Sequence, residues 1–259
     1  MNRKIVFFDI DGTLAEGGAP ASHQVCDAIH KLRKNGHYAI INTGRSKSYI
    51  YDEILKIGFD GIISAAGSHI EFENNLIFDA KIPPSLLSET VHKMSECNIT
   101  VILEGTYDIF ALPSQTNPHI RTDIPIIDSI NEFDHNYCKK PINKSTYYLK
   151  SRKQIEPLLP FLQNFYHLII HDPDYCGEIV LKGISKASAM KKLLNYLSIN
   201  QKDSYAIGDS LNDLEMIRSA GCGIAMGNSI KEIQQSADLV TSSISDDGVA
   251  KALKMVGLI

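Results

Sequence analysis

Short apolar runs alternate with helical patterns at both ends of the chain. Ile5–Phe8 is an uninterrupted apolar run rich in strand formers, and it predicts a buried strand. The next segment has apolar residues at the i, i+3, i+4 and i+7 positions of an amphipathic helix, and Asn35-Gly36 predicts its end. These residues are Val25, Ala28, Ile29 and Leu32. Continuous apolar strands that alternate with helices predict a parallel sheet covered on both faces.

The same alternation continues along both flanks of the chain. Further strands are predicted at Tyr38–Ile41, Gly61–Ser64, Tyr205–Ile207, Gly223–Ala225 and Leu239–Val240. Further helices are predicted at Ser46–Ile57, around Met190–Leu197, at Leu211–Ser219 and at Ile230–Gln235. The fold class expected for the flanks is α/β, with a doubly wound Rossmann-like parallel sheet.

The distribution of proline and glycine divides the chain. Nine of the 10 prolines lie between Pro83 and Pro173, whereas residues 83–182 hold only two of the 17 glycines. We therefore predict an inserted domain at residues 83–182 and an outer domain formed by residues 1–82 and 183–259.

The inserted segment has a different pattern from the flanks. Its predicted strands are Thr100–Leu103, Ile109–Leu112, Thr146–Leu149, His167–Ile170 and Glu178–Leu181. Its predicted helices are Ser85–Glu96 and Gln154–Asn164. This order predicts an α+β domain, with a largely antiparallel sheet that has helices on one face.

Composition narrows the class of protein. The chain has 259 residues, 44% of them hydrophobic and 22% charged, and a net charge of −4. The net negative charge argues against a general nucleic-acid binder. No apolar stretch approaches the length that a membrane-spanning helix needs. The five cysteines are well separated and fit reduced thiols. Because the N-terminus has no signal-like apolar segment, we expect a cytoplasmic protein. The sequence does not define the oligomeric state.

Two carboxylates follow the first predicted strand. Asp9 and Asp11 are spaced i, i+2, so on an extended backbone their side chains point the same way. Two like charges so close repel each other unless they share a cation or a proton, and Mg²⁺ prefers hard oxygen ligands of this kind. For this pair alone, a solvated acidic turn would explain the residues equally well.

Other polar residues are expected at the same edge of the sheet. Thr43 and Gly44 follow the second strand, Asp209 and Asp213 follow Tyr205–Ile207, and Lys186 begins a helix. A cation and free amides at a helix N-terminus favour an anion. Taken singly, these residues fit a helix cap, helix-start acids and a solvated lysine. Together they predict a metal-and-phosphate site at the carboxyl ends of the strands.

The sequence resembles the haloacid dehalogenase-like (HAD) superfamily. The segments DIDGT, TGR, KGISK and GDSLND are similar, in this order, to its four motifs. The C-terminal segment from GIAMGN to DDGVAKAL resembles Cof-type phosphatases, and the position of the insert matches a type IIB cap. The resemblance covers the whole outer domain and implies a Rossmann-like core with an α+β cap that sets substrate specificity.

The resemblance also implies a role for each motif residue. Asp9 would be the nucleophile and Asp11 the general acid and base. Mg²⁺ would bind the Asp9 and Asp209 carboxylates and the main-chain carbonyl of Asp11, with Asp213 orienting metal-bound water. The phosphoryl group would contact Thr43, Gly44, Lys186 and Asn212. Arg45 could assist, although a structural ion pair explains it equally well.

The sequence favours a Mg²⁺-dependent phosphatase that acts on a small phosphorylated metabolite. The candidate substrates are a sugar phosphate, a nucleotide or a cofactor phosphate. One alternative is a sugar-phosphate mutase, which would transfer the phosphate rather than release it to water. A second alternative is a non-enzymatic sensor of a phosphorylated ligand. The resemblance of the C-terminal segment to phosphatases favours hydrolysis, and intact Asp9 and Asp11 disfavour the sensor.

Overall fold

The computed structural model describes residues 2–16, 19–112, 124–172 and 175–259. These residues form two compact units. The first unit consists of Met1–Gly44, Ile50–Phe78 and Ser185–Ile259, and the second of Arg45–Tyr49 and Asp79–Ile184. The predicted insert, residues 83–182, falls inside the second unit.

The described residues contain both β-strands and α-helices. The strands are β1 (Ile5–Phe8), β2 (Tyr38–Asn42), β3 (Gly61–Ser64), β4 (His69–Phe72), β5 (Asn75–Asp79), β6 (Thr100–Gly105), β7 (Ile109–Leu112), β8 (Ile142–Tyr148), β9 (Tyr166–Asp172), β10 (Cys176–Leu181), β11 (Ser204–Gly208), β12 (Cys222–Ala225) and β13 (Leu239–Val240). The α-helices are α1 (His23–Lys34), α2 (Asp52–Leu55), α3 (Pro84–Glu96), α4 (Ile130–Glu132), α5 (Leu159–Phe165), α6 (Lys186–Tyr196), α7 (Leu214–Ser219), α8 (Lys231–Ser236) and α9 (Gly248–Met255).

The first unit is built on one large sheet with the strand order β13-β12-β11-β1-β2-β3-β4-β5. Pairing is parallel from β13 to β3, and β4 pairs antiparallel with β3. Every residue of the central strand β1 is buried. Val6 and Phe8 pack with α1 and α9, whereas Ile5 and Phe7 pack with α6 and α7 on the other face. Helices therefore cover both faces, which confirms the predicted doubly wound parallel sheet.

The spacing rule predicted α1 correctly. Val25, Ala28, Ile29 and Leu32 are all buried. The hydroxyl of Ser22 accepts a hydrogen bond from the backbone of Val25 and caps the start of the helix. After the helix, Gly36 has a φ of 88°, a conformation that favours glycine.

Some local predictions were wrong. The helix expected at Ser46–Ile57 is interrupted: a 3-10 turn at Lys47–Tyr49 belongs to the second unit, and α2 belongs to the first. The helix expected at Gln154–Asn164 starts as 3-10 turns and becomes α-helical only at Leu159, because Pro157 and Pro160 cannot donate backbone hydrogen bonds. Strands β4 and β5, which extend the large sheet, were not predicted.

The second unit contains an antiparallel sheet with the strand order β7-β6-β8-β10-β9. Helix α3 packs through Leu87 and Val91 against one face of this sheet, where Val101 and Leu103 lie. The same hydrophobic cluster includes Leu162 of α5. The unit has the predicted α+β arrangement with helices on one face. None of the helices in the described residues is long and apolar enough to cross a membrane.

Candidate active site

Asp9 lies immediately after the central strand β1. Its backbone amide donates to the carbonyl of Ile207 on β11 at 3.0 Å, so the sheet pairing extends one residue beyond the strand and fixes the position of Asp9. The residue is 3% exposed. Asp11, two residues later, is exposed. The motif therefore presents one buried carboxylate and one accessible carboxylate at the carboxyl end of the sheet.

Gly12 allows the loop after Asp11 to turn tightly. Its φ is +79°, and a Cβ at this position would lie 2.3 Å from Oδ2 of Asp209. Thr13, the next residue, donates its hydroxyl to Oδ1 of Asp209 at 3.0 Å. The side chain of Asn228 donates to the carbonyl of Gly12 at 2.9 Å. The loop is thus held against Asp209 by contacts that only glycine at position 12 permits.

Lys186 joins three of the predicted site residues. It is the first residue of α6, preceded by the N-cap Ser185, and it is 2% exposed. Its Nζ lies 2.6 Å from Oδ1 of Asp9, 2.7 Å from Oδ1 of Asp213 and 3.3 Å from Oδ1 of Asn212. A buried ammonium needs such partners, and the attraction of the two carboxylates raises the pKa of Lys186 against the opposing effect of burial. Lys186 is therefore positively charged at neutral pH.

Asp213 is fully buried beside the end of β11. Its Oδ2 accepts hydrogen bonds from the backbone amides of Asp209 and Ser210, each at 3.1 Å. A Cβ at Gly208 would lie 2.5 Å from Cγ of Asp213, so glycine is required for this close approach. Both oxygens of Asp213 are engaged by protein groups, which suits a residue that positions its neighbours.

Three carboxylates lie close together, and two of them contact the ammonium of Lys186. Asp9, Asp209 and Asp213 each offer an oxygen, and these oxygens all lie within 4.8 Å of one another. Burial, followed by the negative charge of Asp213, raises the pKa of Asp209 to about 6. The same two causes raise the pKa of Asp9 well above its ordinary value, although Lys186 opposes them. The cluster holds more negative charge than Lys186 neutralises, and its hard oxygen donors fit a divalent cation such as Mg²⁺.

Thr43 and Gly44 follow β2, the neighbour of β1 in the sheet. Thr43 is fully buried, and its backbone amide donates to Ile63 at 2.9 Å. Asn42, the last residue of β2, donates its side-chain amide to the carbonyl of Lys186 at 3.2 Å. Arg45 groups with the second unit, where its Nη1 donates to the carbonyl of Tyr49 at 3.1 Å.

A left-handed turn after β3 supports the site and was not predicted from the sequence. Ala65, Ala66 and Gly67 have φ values of 51°, 52° and 103°. The amide of Ala66 donates to the carbonyl of Thr43 at 3.1 Å. A Cβ at Gly67 would lie 2.4 Å from the carbonyl oxygen of Ser185, so this glycine lets the turn approach the start of α6. Gly67 following two small residues is the only signal the sequence offers.

The structure thus brings most of the predicted site residues into direct contact. Asp9, Lys186, Asn212 and Asp213 are linked by hydrogen bonds, and Asp209 is held through Thr13. Asp11, Thr43 and Gly44 lie at the same carboxyl edge, after the adjacent strands β1 and β2. Asn228 and the Ala65–Gly67 turn are contributions that the sequence analysis missed.

Comparison with known proteins identifies a family and relatives whose names describe phosphatases. The profile of the haloacid dehalogenase-like hydrolase family matches residues 6–253. One relative is the 5-amino-6-(5-phospho-D-ribitylamino)uracil phosphatase YitU of Bacillus subtilis (strain 168), which is 26% identical over 96% of this chain and 96% of its own.

Solved structures of other proteins have a fold similar to that of this chain. A HAD-superfamily phosphatase from Bacteroides thetaiotaomicron is 25% identical, covers 99% of this chain and 96% of its own, and superposes with a TM-score of 0.86. A sugar phosphatase of HAD subclass IIB is 24% identical, covers 99% of this chain and 100% of its own, and has a TM-score of 0.84. The second of these shows a likeness of fold.

Proposed function

Since this chain belongs to the haloacid dehalogenase-like hydrolase family and is a phosphatase, we propose that it hydrolyses a small phosphorylated metabolite through an aspartyl-phosphate on Asp9. The observation that carries the proposal is the buried Asp9 carboxylate, held 2.6 Å from the ammonium of Lys186 at the carboxyl end of the central strand. That contact orients the carboxylate and places a positive charge where a phosphoryl group would bind.

The first step is attack by a carboxylate oxygen of Asp9 on phosphorus. The new bond joins Asp9 to phosphorus, and the bond from phosphorus to the ester oxygen breaks. Asp11 donates its proton to that leaving oxygen, so an alcohol departs and Asp11 becomes a carboxylate. The exposure of Asp11 supports this role, because the leaving group must reach it from outside the buried cluster.

The second step returns the enzyme to its starting state. Asp11 accepts a proton from water, and the water oxygen attacks phosphorus. The bond between Asp9 and phosphorus breaks, which releases inorganic phosphate and restores the Asp9 carboxylate. Thr43, the Gly44 amide, Lys186 and Asn212 hold the phosphoryl oxygens in both steps and stabilise their developing charge.

Mg²⁺ is the cofactor that the donor set fits. The Asp9 and Asp209 carboxylates and the main-chain carbonyl of Asp11 would hold the ion, and Asp213 would fix their positions through its hydrogen bonds to the backbone of Asp209 and Ser210. When bound, Mg²⁺ supplies positive charge against the phosphoryl oxygens. The raised pKa values of Asp9 and Asp209 support this assignment, since burial and then the charge of Asp213 disfavour the ionised carboxylates, and a bound cation would favour them.

The second unit is assigned here to substrate selection. The residues proposed to bind or attack the phosphoryl group all belong to the first unit. A phosphoryl group is common to every substrate. Discrimination therefore depends on contacts with the leaving group. The name of the Bacillus relative describes a phosphate ester of a small metabolite, which supports the same class of substrate for this chain.

The test measures release of inorganic phosphate from a panel of phosphorylated sugars, nucleotides and cofactors, with p-nitrophenyl phosphate as a generic ester. We expect hydrolysis that EDTA abolishes and Mg²⁺ restores. Asp9→Asn, which removes the nucleophilic oxygen, should lower turnover by at least ~10³-fold. Near-normal turnover by Asp9→Asn, in a preparation free of wild-type enzyme, would contradict the proposed mechanism.

A further inference from the structure

Strand β2 of the first unit ends in a buried polar side chain that lies beneath two helices. Asn42, the last residue of β2, is fully shielded from solvent. Ile40, two residues earlier, belongs to the hydrophobic cluster on the face of the sheet that α6 and α7 cover. Because residues i and i+2 of a strand share a face, the side chain of Asn42 points towards the same helices. A buried amide needs hydrogen-bond partners.

The amide nitrogen of Asn42 contacts both helices. Nδ2 donates to the main-chain carbonyl of Lys186 at 3.2 Å and to Sδ of Met216 at 3.0 Å. A carbonyl oxygen only accepts hydrogen bonds, so the atom that faces it must be the nitrogen, and this fixes the orientation of the whole amide. In an α-helix the carbonyl of the first residue accepts from the amide four residues later, so Asn42 is a second donor to Lys186. Asn42 therefore fastens the start of α6 to the sheet.

The amide oxygen of Asn42 is left without a donor. Its Oδ1 is shielded from solvent, and no residue in the described part of the chain gives it a hydrogen bond. A buried acceptor without a donor costs folding free energy, and an apolar side chain would avoid that cost. The contact with Met216 offsets little of it, because a thioether sulfur is a weak acceptor. Stability alone therefore does not explain why asparagine occupies this position.

The bond between Asn42 and Lys186 joins two segments that lie next to a boundary of the first unit. The chain leaves this unit after Gly44, two residues beyond Asn42. It finally returns at Ser185, one residue before Lys186. The ammonium of Lys186 lies 2.6 Å from Asp9 at the end of a long side chain, so its position depends on where the backbone of Lys186 lies. A hydrogen bond made within the first unit holds that backbone.

We propose that Asn42 is a positioning residue for the reaction. Its hydrogen bond holds the backbone of Lys186 where the ammonium reaches both the Asp9 carboxylate and the phosphoryl group. Asn42 acts only through Lys186 and takes no part in proton or phosphoryl transfer. The unpaired Oδ1 is retained because the same amide supplies the donor. This inference rests on the proposed function, since it concerns the lysine that stabilises the phosphoryl group in that reaction.

The experiment measures stability and turnover of Asn42→Val in the full-length enzyme. Valine suits a strand and removes both the donor and the unpaired acceptor, so the urea midpoint of unfolding should be unchanged or higher. The kcat for p-nitrophenyl phosphate with Mg²⁺ should fall by about 10-fold, the loss expected for one hydrogen bond of ordinary strength. Asn195→Val, at an exposed position on α6, is the matched control and should keep its turnover. A residue that serves stability alone would lower the midpoint and the turnover together.

A double-variant comparison tests whether Asn42 acts through Lys186. In Lys186→Met the side chain has no ammonium to place, so adding Asn42→Val should change kcat by less than about twofold. The rate of Asp9→Asn, measured in parallel, gives the background. If Asn42→Val lowers the urea midpoint, Asn42→Ala replaces it, because alanine also removes the donor and is too small to collide with α6. Asn42→Ala should show the same loss of turnover with Lys186 present and none in Lys186→Met.

The outcomes separate this inference from the function on which it rests. Turnover at the wild-type level in the Asn42 variants would overturn the inference. A loss of turnover by the same factor with and without the Lys186 ammonium would also overturn it, because Asn42 would then serve packing only. In both cases wild type still hydrolyses p-nitrophenyl phosphate, and the phosphatase mechanism stands. If wild type releases phosphate from no ester, the proposed function fails and the inference fails with it.

Discussion

The ammonium of Lys186 lies 2.6 Å from the Asp9 carboxylate, and both residues are buried. The same nitrogen lies 2.7 Å from Asp213, whose other oxygen accepts hydrogen bonds from the loop that carries Asp209. A single side chain from α6 therefore connects the loops after β1 and β11. The contact holds the Asp9 carboxylate in place. Under the proposed mechanism, Lys186 would also supply positive charge to the phosphoryl group.

Substitution of Lys186 tests both the contact and the proposed role. Lys186→Met keeps much of the side-chain volume but removes the charge, so Asp9 and Asp213 are left to repel each other. We expect turnover of p-nitrophenyl phosphate with Mg²⁺ to fall by about 10²- to 10³-fold, as when a single electrostatic contact to a transition state is removed. Lys191→Met, at an exposed position on the same helix, is the matched control. Activity of Lys186→Met close to that of the control would show that Lys186 serves packing only.

The placement of the charged site residues was predictable because parallel strands end at one edge of their sheet. Asp9 and Asp209 each follow a short apolar strand, and Lys186 starts a helix after a glycine turn. The pairing of Lys186 with both Asp9 and Asp213 was not predictable, since it depends on how α6 packs on the sheet. The left-handed conformation of Ala66 was not predictable either, because alanine rarely adopts it.

The interrupted helix near Ser46 shows how packing overrides local pattern. The apolar spacing from Tyr49 to Ile57 favours a helix, yet the two halves belong to different units. Ser48 donates to the carbonyl of Gly105, and Tyr49 packs with Ile102 of the antiparallel sheet. Tertiary contacts of this kind are invisible in a single sequence.

The Gly67 contact predicts that this glycine is required. Gly67→Ala should lower both the urea midpoint and the turnover, because its Cβ would collide with the carbonyl of Ser185 and push the start of α6, and hence Lys186, away from Asp9. Gly36→Ala is the control: that glycine also has a positive φ, but nothing lies within 4 Å of its Cβ. The control should lose about 1 to 2 kcal/mol of stability and keep its turnover. Equal losses of stability and turnover in the two variants would contradict the role assigned to Gly67.

The raised pKa of Asp209 predicts a pH dependence of stability without metal. The folded-state pKa of about 6 lies above the ordinary value of 3.8, so the folded protein binds this proton more tightly than the unfolded chain. The resulting stabilisation is complete below about pH 4 and is lost as the pH rises through about 6. Asp209→Asn removes this titration, so in EDTA the urea midpoint of the variant should rise relative to wild type between these pH values.

A control variant and the addition of Mg²⁺ test whether Asp209 causes the predicted pH dependence of stability. Asp27→Asn, at an exposed position on α1, should show no such change relative to wild type. Adding Mg²⁺ at neutral pH should stabilise wild type and have little effect on Asp209→Asn, since the ion needs the ionised carboxylate. A difference between Asp209→Asn and wild type that stays constant with pH would contradict the assigned titration.

The roles proposed for Asp11 predict that the effect of its substitution depends on the leaving group. Asp11→Asn should slow the first step most with alkyl phosphates, whose leaving oxygen needs a proton. Aryl phosphates with acidic leaving groups should be affected less in that step. Single-turnover measurements of alcohol or phenol release check this, and equal losses for both types of ester would count against Asp11 as the general acid.

Trapping the covalent intermediate tests the central claim most directly. Asp11→Asn should also slow the second step, because it removes the base that activates water, so phosphorylated enzyme should accumulate with p-nitrophenyl phosphate and Mg²⁺. Acid quenching followed by peptide mass spectrometry should locate one phosphoryl group on Asp9. The double variant Asp9→Asn, Asp11→Asn should carry none. A phosphoryl group on another residue, or phosphate release by Asp9→Asn at the wild-type rate, would contradict the account.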